Sequence, residues 1–477
     1  MLFDMAETAL DAAAAATPST EGLWSPRHRT LTLGLVLTVT LAAFEALAVA
    51  TIMPIVARDL GGFQLYGWVF TVFFLGSLLG IVVVGGLIDR GGLVAPFVGG
   101  LALFSIGLIG GGLAPSMEVL VGARFIQGLG AGAIPPIAYV SIGRALPESL
   151  RPRMFATLST AWVLPGVIGP ALSGTVAELL HWRIVFLGLL PLIVLAGVMT
   201  LPSLRGLPGV EEERDASTQR WRDRLVPAVI VAAGAGLILS GLGTGQLVLA
   251  TLQLGIGVVL AVSAFRALTP PGTLRAKRGL PAAILLRGLL TLMFFCADAY
   301  VPLALQDWRG VPAAVSGIVL TAATLSWTGG SWVQAHRVER LGPRRFVTLG
   351  FLTTGLGVLA FASILSPVVP VAFGVVAWGV AGLGMGFAYS SLSLTVLAEA
   401  APEAQGAATA GLQLSDVLGT AFGTGIGGAF IATGHRLGWE GWIGLAGAFG
   451  TAVVAAAIGV MLSSRLSDAR VTMQEHR

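Results

Sequence analysis

Long apolar stretches recur along almost the whole chain and are separated by short polar loops. A helix needs about 20 apolar residues to cross the hydrocarbon core of a bilayer. Fourteen stretches are long enough, at 31–55, 65–87, 95–114, 119–141, 154–176, 184–203, 225–243, 247–265, 281–304, 312–334, 346–366, 369–397, 405–431 and 441–463. The pattern therefore predicts an all-α polytopic membrane protein with fourteen transmembrane helices. The pair within 225–265 is the weakest, since it is compatible with two spans or with one long re-entrant element.

The loop arginines predict which way the helices run. If the N-terminus lies inside and the helices alternate, the cytoplasmic segments hold 22 Arg and Lys residues, and the outer segments hold only Arg58, Arg183, Arg309 and Arg436. Basic loops are retained on the cytoplasmic side of membranes. Both flanks of 225–265 are basic, which favours two crossings there. We therefore expect a multi-pass protein of the cytoplasmic membrane with both termini inside.

The two ends of the chain resemble each other at a nearly constant offset. The segment Gly-Leu-Gly-Ala-Gly at 128–132 recurs as Gly-Leu-Gly-Met-Gly at 382–386, and Glu45 and Asp298, both inside apolar runs, are 253 residues apart. Repeated halves with a substrate site between them form the framework of secondary transporters. The predicted regions are a cytoplasmic tail at 1–29, a six-helix half at 30–204, central cytoplasmic loops at 205–278 that carry a two-helix insertion at 225–265, a second six-helix half at 279–464 and a tail at 465–477.

The composition agrees with a membrane protein. Hydrophobic residues make up 55% of the chain and charged residues 11%, against about a quarter charged in soluble domains. This excludes a soluble enzyme and a disordered protein. The net charge is only +4, and the basic residues lie in short loops between apolar runs. This distribution is typical of membrane topology and not of a nucleic-acid-binding surface, so we expect no nucleic-acid partner. The single Cys296 excludes an intrachain disulfide and a multi-cysteine metal site, and we expect no metal and no cofactor.

Four segments carry a recognisable pattern: Phe44-Glu45 with Pro54 nine residues after the Glu, the loop segment 85–92, the segment 124–132 and the segment 166–174. Together they resemble the major facilitator superfamily, in its fourteen-helix drug:proton antiporter branch, over about residues 30–463. The resemblance implies the major-facilitator fold, with two six-helix halves and a two-helix insertion. The segment 166–174 resembles the antiporter motif of the fifth helix, which favours export over uptake.

The resemblance implies proton-coupled efflux of small, amphipathic or lipophilic compounds by alternating access. Its expected partners are a small-molecule substrate, protons and the lipid bilayer, with a monomer as the default assembly. Export of a specific endogenous lipid, siderophore or other metabolite is the nearer alternative. A membrane-embedded enzyme is the remote one, because neither His-Glu-x-x-His nor Gly-x-Ser-x-Gly occurs, and the missing Gly-Lys-Ser/Thr excludes an ATP-driven machine within this chain.

The sequence also departs from the family pattern. Leu93 and Val94 stand where the loop motif after the second helix usually carries a basic pair, and Trp378 stands at the repeat equivalent of Arg124. The two halves have therefore diverged. These differences predict that the N-terminal half handles the proton.

Charged residues inside spans are the first functional candidates, since a charge at mid-bilayer costs about 2.5–3.5 kcal/mol even on lenient scales. Glu45 lies roughly 21 Å from the inner end of its helix, and Arg124 lies roughly 7–8 Å below the outer face of an oppositely directed helix. Their depths nearly coincide in a span of about 30 Å. The two are predicted to form an ion pair or proton relay, or else a static pair that orients two helices.

The C-terminal half carries its own charges. Arg287 and Asp298 share one face of the ninth run but lie roughly 16 Å apart, so they cannot pair directly. Asp298 is predicted to be a second proton site or a cation-binding carboxylate, with a simple hydrogen bond to a neighbouring helix as the alternative. Asp416, midway along the thirteenth run, has the same two interpretations.

Three further groups complete the candidates. The predicted gating motif comprises Gly85, Asp89, Arg90, Gly92, Glu339, Arg340, Gly342, Arg344 and Arg345. The predicted antiporter motif of the fifth helix comprises Gly166, Gly169, Pro170 and Gly174. The predicted substrate cavity comprises Trp162, Arg287, Phe294, Phe295, Tyr300, Trp327 and Trp378. The alternatives are solvated loop charges, ordinary glycine packing between membrane helices and ordinary aromatic packing, respectively.

Overall fold

The computed structural model describes residues 22–26, 28–147, 150–206, 214–401 and 404–467, without the side chains at 89–91, 152, 155, 156, 159, 214–222 and 339. The helices, in chain order α1 to α17, are Arg29–Leu60, Tyr66–Gly91, Val94–Gly112, Met117–Ala131, Ile134–Ala145, Arg151–Thr160, Val163–Val176, Trp182–Leu187, Leu190–Arg205, Arg214–Gly243, Leu247–Leu268, Leu280–Asp298, Ala313–Leu341, Pro343–Ala362, Ala372–Glu399, Gln405–Leu437 and Gly441–Ser463. In this part of the chain, thirteen helical stretches are long and apolar enough to cross a membrane. The fold is therefore that of an all-α membrane protein, as predicted.

Four predicted runs, 119–141, 154–176, 184–203 and 281–304, are each interrupted by two residues that are not helical. The run 119–141 is split because α4 ends at Ala131 and α5 begins at Ile134. Pro135 and Pro136 stand in the first turn of α5, where a missing backbone N–H costs least. The run 154–176 is split between α6 and α7. The length of an apolar run therefore predicts that the chain crosses the membrane, but it does not predict whether the helix is continuous.

The stretch Val163–Arg205 is 43 residues long and counts as one of the thirteen. At its middle, His181 has an extended backbone, with φ −166° and ψ 141°. Up to this point the chain runs alongside α1. Thr40 donates to the Ala161 carbonyl at 3.2 Å near one end, and Arg183, two residues after His181, contacts Asp59 at 3.1 Å near the other. Beyond His181, α9 returns along the same helix, packed against its first turns. The stretch therefore folds back on itself.

The glycine repeats make equivalent contacts in the two halves. In the segment 128–132, the first and third glycines face α2 and the middle one faces α3; in 382–386, the first and third face α13 and the middle one faces α14. A Cβ atom at each of the six positions would lie within 3.0 Å of backbone atoms on the neighbouring helix. The internal repeat read from the sequence is thus visible in the helix packing.

Helices α10 and α11 form a hairpin beside the junction of the halves. Helix α10 packs against α2 of the first half and α16 of the second, while α11 packs on α10. Within the hairpin, a Cβ atom on Gly234 would lie 2.6 Å from the Ala261 nitrogen. Large apolar side chains of α11 are exposed, for example 81% of Leu247 and 67% of Val259, which is the composition of a lipid-facing surface.

The hydrogen bonds and ion pairs that the described residues make between the halves concentrate at the predicted outer end. They include Arg58 with Asp307, Gln306 Nε2 to the Thr51 carbonyl at 2.8 Å, Tyr66 Oη to the Ala299 carbonyl at 3.3 Å, Thr71 Oγ1 with Thr424 Oγ1 at 3.3 Å and the Ala421 carbonyl at 3.4 Å, and the Ala313 N–H to the Glu178 carboxylate. One further bond, from Thr321 Oγ1 to the Val167 carbonyl at 3.4 Å, lies further along α13. The halves are therefore joined at this end of the bundle.

Candidate functional site

A buried ion pair lies in the N-terminal half, between α1 and α4. Arg124 Nη1 donates to the Glu45 carboxylate and also to Gln127 Oε1 at 2.7 Å. Glu45 is fully buried and Arg124 is 2% exposed. The depths read from the sequence had predicted that these two residues meet, and the structure brings them together.

The surroundings of this pair hold the guanidinium tightly. Arg124 Nε donates to the Val69 carbonyl at 3.3 Å, and its guanidinium carbon lies 4.2 Å from the centre of the Phe73 ring. Glu45 Oε2 and Gln127 Nε2 are buried without a hydrogen-bond partner among the described residues. A buried polar atom without a partner costs free energy, and one oxygen of the Glu45 carboxylate is in this position.

The repeat-related acid in the C-terminal half has a different partner. Asp298, at the end of α12, accepts a hydrogen bond from Trp378 Nε1 at 3.2 Å. Trp378 is fully buried, and its ring stacks on Phe294 with centroids 5.3 Å apart. Glu45 with Arg124 and Asp298 with Trp378 are thus the same contact in the two halves, with a cation in the first and a neutral indole in the second.

A second ion pair, between the buried Arg287 and the partly buried Asp416, lies between α12 and α16. Arg287 Nε donates to Asp416 Oδ1 at 2.9 Å. Tyr389 Oη donates to Asp416 Oδ2 at 3.0 Å, and the Arg287 guanidinium carbon lies 3.0 Å from the centre of the Tyr389 ring. Arg287 also donates to the Ser393 hydroxyl at 3.1 Å.

The sequence did not predict this grouping. It singled out Arg287 and Asp416 separately, and it did not identify Tyr389 or Ser393. One signal was available, because the opposite charges of Arg287 and Asp416 both lie inside apolar runs, and buried charges are normally paired.

Four of the predicted cavity aromatics lie in one cluster around α12. Phe294 contacts Phe295, Trp327 and Trp378, with ring centroids 5.3, 5.6 and 5.3 Å apart. Trp327 in turn contacts Tyr389 at 5.3 Å, so the cluster reaches the second ion pair. Phe295 contacts Phe74 of the N-terminal half at 6.2 Å.

Two other predicted aromatics lie elsewhere. Tyr300 donates to the Thr424 carbonyl and packs 5.6 Å from Tyr66 at the predicted outer end, where the halves meet. Trp162 lies at the break between α6 and α7 and is 48% exposed. Neither residue belongs to the cluster around Phe294.

The predicted antiporter motif lies on the face of α7 that meets α13. A Cβ atom on Gly166 would lie 2.9 Å from Thr324 Cβ, and one on Gly174 would lie 2.8 Å from the Ala313 carbonyl carbon. Pro170 is approached in the same way by Gly317 of α13, while Gly169 faces the Phe44 ring on α1. The small residues of this motif therefore form a close contact between the halves.

One glycine in each copy of the predicted gating motif stops a helix. Gly92 follows α2 with φ 88°, and Gly342 follows α13 with φ 81°. Backbone of this kind favours glycine. Arg344 lies in the first turn of α14, and Gly85 would accept a Cβ atom without contact within 4 Å. The side chains of Asp89, Arg90 and Glu339 lie outside the described set.

Comparison with solved structures places the fold. A crystal structure of the POT family transporter PepTSo matches with a TM-score of 0.66, covering 91% of this chain and 97% of that one at 14% identity. The sequence itself matches the Major Facilitator Superfamily over residues 33–333. The chain belongs to this superfamily. The match spans the N-terminal half, the hairpin and the start of the C-terminal half.

Curated members of the superfamily are similar over most of the chain. A probable multidrug-efflux transporter of Mycobacterium tuberculosis (strain ATCC 25618 / H37Rv) is 29% identical over 408 residues, which cover 83% of this chain and 86% of that protein. A multidrug efflux pump of Staphylococcus aureus (strain N315) is 24% identical over 383 residues, covering 78% and 82%. Both matches extend beyond a single half.

Proposed function

We propose that this protein is a multidrug-type exporter that uses the proton gradient to move small, amphipathic or lipophilic compounds out of the cell. The observation that carries the proposal is the similarity to multidrug-efflux members of the superfamily over more than three quarters of each chain. Phe295 and Trp327, which are only partly buried at the edge of the cluster around Phe294, support it, because an apolar surface with few fixed polar groups accepts compounds of different shapes.

The proposed arrangement has fourteen spans in the cytoplasmic membrane, as six, two and six helices, with both termini inside. The fold-back at His181 supports counting Val163–Arg205 as two spans, since a 43-residue helix would be roughly twice the thickness of the hydrocarbon core. The hairpin adds two crossings, which keeps both halves in the same orientation.

Cysteine labelling tests this topology in a background where the buried Cys296 is replaced by alanine. Gly245 lies in the loop between α10 and α11, and Leu274, which is 38% exposed, lies in the loop after α11. In intact cells, an impermeant maleimide is expected to label a cysteine at Gly245 and not one at Leu274. Labelling of both positions only after the cells are broken open would refute two crossings in the hairpin.

Proton coupling is assigned first to Glu45, with Arg124 as its electrostatic partner. Alternating access would change the distance between them or admit water, and either change alters the balance between the charged and protonated carboxyl group. A proton is then loaded from outside and released inside. The drive is about 2.3 kcal/mol per charge per 100 mV and about 1.36 kcal/mol per pH unit, enough for roughly a few hundredfold substrate gradient per proton.

The decisive experiment uses purified protein in liposomes with an imposed pH gradient. Glu45→Gln mimics the protonated state, so it is expected to retain substrate binding but lose uphill transport. Glu118→Gln is the matched control, because Glu118 lies exposed at the start of α4. If Glu45→Gln still concentrates substrate, the coupling site lies elsewhere, and Asp298 or Asp416 becomes the leading candidate.

Gating at the cytoplasmic end is assigned to the two loop motifs. The contacts at the predicted outer end close that side of the bundle, so the opposite end must supply its own contacts when the outer end opens. We expect Asp89→Asn to weaken inner closure. Modification of cysteines that line the inner cavity would then proceed faster, and an unchanged rate with full transport would reduce Asp89 to a loop charge.

A panel of compounds separates multidrug export from export of one endogenous lipid, siderophore or metabolite. Substrate-dependent proton movement with several unrelated lipophilic compounds supports the first proposal. A response to one compound class alone supports the second. If the protein converts a lipid-soluble substrate chemically but does not transport it, a membrane-embedded enzyme is favoured instead.

A further inference from the structure

A separate cavity lies at the predicted cytoplasmic end of the C-terminal half, where α12 and α14 begin and α17 ends. Its volume is about 690 Å³, and it is lined by Arg278, Arg344, Ser464, Arg465, Leu466 and Ser467. Its three arginines come from three different chain segments. The transport proposal does not use this cavity.

The cavity has a strongly basic lining. The N-terminus of α14 adds to the charge, because Arg344 lies in its first turn and the N–H groups of a first turn lack helical partners. Among the described residues, Glu399 lies at the edge of the cavity, where its carboxylate accepts hydrogen bonds from the Ser467 hydroxyl and the Leu280 backbone N–H. Its single negative charge is outweighed by the three arginines of the lining.

The fold holds the three basic segments in place. The Gly279 N–H donates to the Arg465 carbonyl at 3.0 Å, which joins the linker before α12 to the end of α17. The Thr348 and Ser463 hydroxyls lie 2.7 Å apart and join α14 to α17 beneath the cavity. The positions of the arginine backbones are therefore fixed before any ligand binds, which lowers the entropic cost of binding.

Apolar side chains are exposed on α14 and α17 within a few residues of those that line this cavity. Leu349 and Leu352 of α14 are each 44% exposed, and Met461 of α17 is 73% exposed. A ligand that fills the cavity with an anionic group therefore has an apolar surface available to it within about two helical turns. A free inorganic anion would make no use of that surface.

We propose that this cavity binds the phosphate headgroup of an anionic phospholipid of the inner leaflet, whose acyl chains lie along α14 and α17. Basic pockets between helices on the cytoplasmic side suit such headgroups, and arginine binds phosphate oxygens through two parallel N–H donors. The proposed ligand matches both the charge of the cavity and its apolar border.

The test measures retention of phosphatidylglycerol by the full-length protein in detergent, by native mass spectrometry over a lipid titration. Replacing Arg278, Arg344 and Arg465 together by Gln is expected to weaken binding roughly a hundredfold, at on the order of fivefold per arginine. The matched control replaces Arg29, Arg153 and Arg205, three exposed arginines of α1, α6 and α9, and is expected to retain most of the binding.

Equal losses in both triple variants would overturn the proposal, because binding would then follow net charge alone. So would wild-type affinity in the first variant. Inorganic phosphate is the second probe: if it protects the lipid-free protein against heating in an arginine-dependent manner as well as phosphatidylglycerol does, the cavity is a free-anion site. If the first triple variant does not fold, Arg465→Gln is compared with Arg465→Lys. Arg465→Gln should lose about fivefold, and Arg465→Lys should lose less, because lysine keeps the charge but not the two parallel donors.

Discussion

The two halves place an acidic side chain at the same point of the repeat but give it different neighbours. Glu45 of the N-terminal half faces Arg124, whereas Asp298 of the C-terminal half faces the Trp378 indole. An arginine stabilises a buried carboxylate as an anion. An indole N–H gives one neutral hydrogen bond and leaves the burial cost of a charge largely uncompensated. The same geometry therefore favours an ion pair in one half and an uncharged contact in the other.

The C-terminal half retains an ion pair, but at another place. Arg287 lies on the same helix as Asp298, eleven residues earlier, and it pairs with Asp416 of α16. In the N-terminal half, the repeat-related acid takes part in the ion pair; in the C-terminal half, the repeat-related acid and the ion pair are separate. The C-terminal half therefore also has a buried cation, but not at the repeat equivalent of Arg124.

The largest loss of thermal stability is expected when the N-terminal half is made to resemble the C-terminal one by removing the cation beside Glu45. Arg124→Gln leaves Glu45 buried without a cation, and loss of one partner of a buried pair costs about 3–5 kcal/mol. The midpoint of thermal unfolding in detergent should fall. The fall should be smaller at mildly acidic than at mildly alkaline pH, because a proton then neutralises the stranded carboxylate.

The control for this experiment removes both charges. Glu45→Gln combined with Arg124→Gln should recover much of the lost stability, since two neutral side chains can still hydrogen-bond. A double variant as unstable as Arg124→Gln, with no dependence on pH, would show that Arg124 acts through its packing against Phe73 and not through its charge.

An intermediate effect, equal in the two halves, is expected at the glycine repeats. Gly128→Ala and Gly382→Ala each force a methyl group against the backbone of the neighbouring helix, and such overpacking typically costs about 1–3 kcal/mol. Gly122→Ala is the control, because a Cβ atom there meets nothing within 4 Å. Thermal unfolding of the three variants checks this. A loss of stability in only one of Gly128→Ala and Gly382→Ala would show that the two glycine repeats are not packed equivalently.

The smallest effect is expected at the neutral contact. Trp378→Phe removes one hydrogen bond to Asp298, worth about 1 kcal/mol, while most of the stacking on Phe294 is kept. Asp298→Asn keeps an acceptor for the indole and should be nearly silent in thermal unfolding. A loss at Asp298→Asn as large as that at Arg124→Gln would mean that Asp298 is charged and paired, and would end the contrast between the halves.

Much of the fold followed from the sequence because membrane crossings are set by length and apolarity alone. The run 95–114, for example, corresponds to α3, Val94–Gly112. Helix breaks were not predicted, because the apolar run continues through Ala131–Ala133 and through Ala161. The count of loop arginines constrained orientation without any knowledge of packing.

The contacts of the candidate site were predictable only where two residues lie at the same depth in the membrane. Glu45 and Arg124 lie at nearly the same depth, so their pairing could be foreseen. The Cα atoms of Arg287 and Asp416 differ in predicted depth by roughly 8 Å, and the reach of the arginine side chain closes that gap. Which helix faces which depends on packing around the bundle, and depth carries no information on that.

The hairpin has a consequence for how the halves move. Helix α10 presents Ala228, Ala232 and Ala235 to a cluster that includes Leu75 of one half and Leu418 of the other. Any rocking of the halves must shear at least one of these surfaces. Alanine has no side-chain rotamers to rearrange, and sliding between packed helices is a common form of domain motion. The hairpin can thus stay packed against both halves while they move, because its alanine surface has no side chains that must repack.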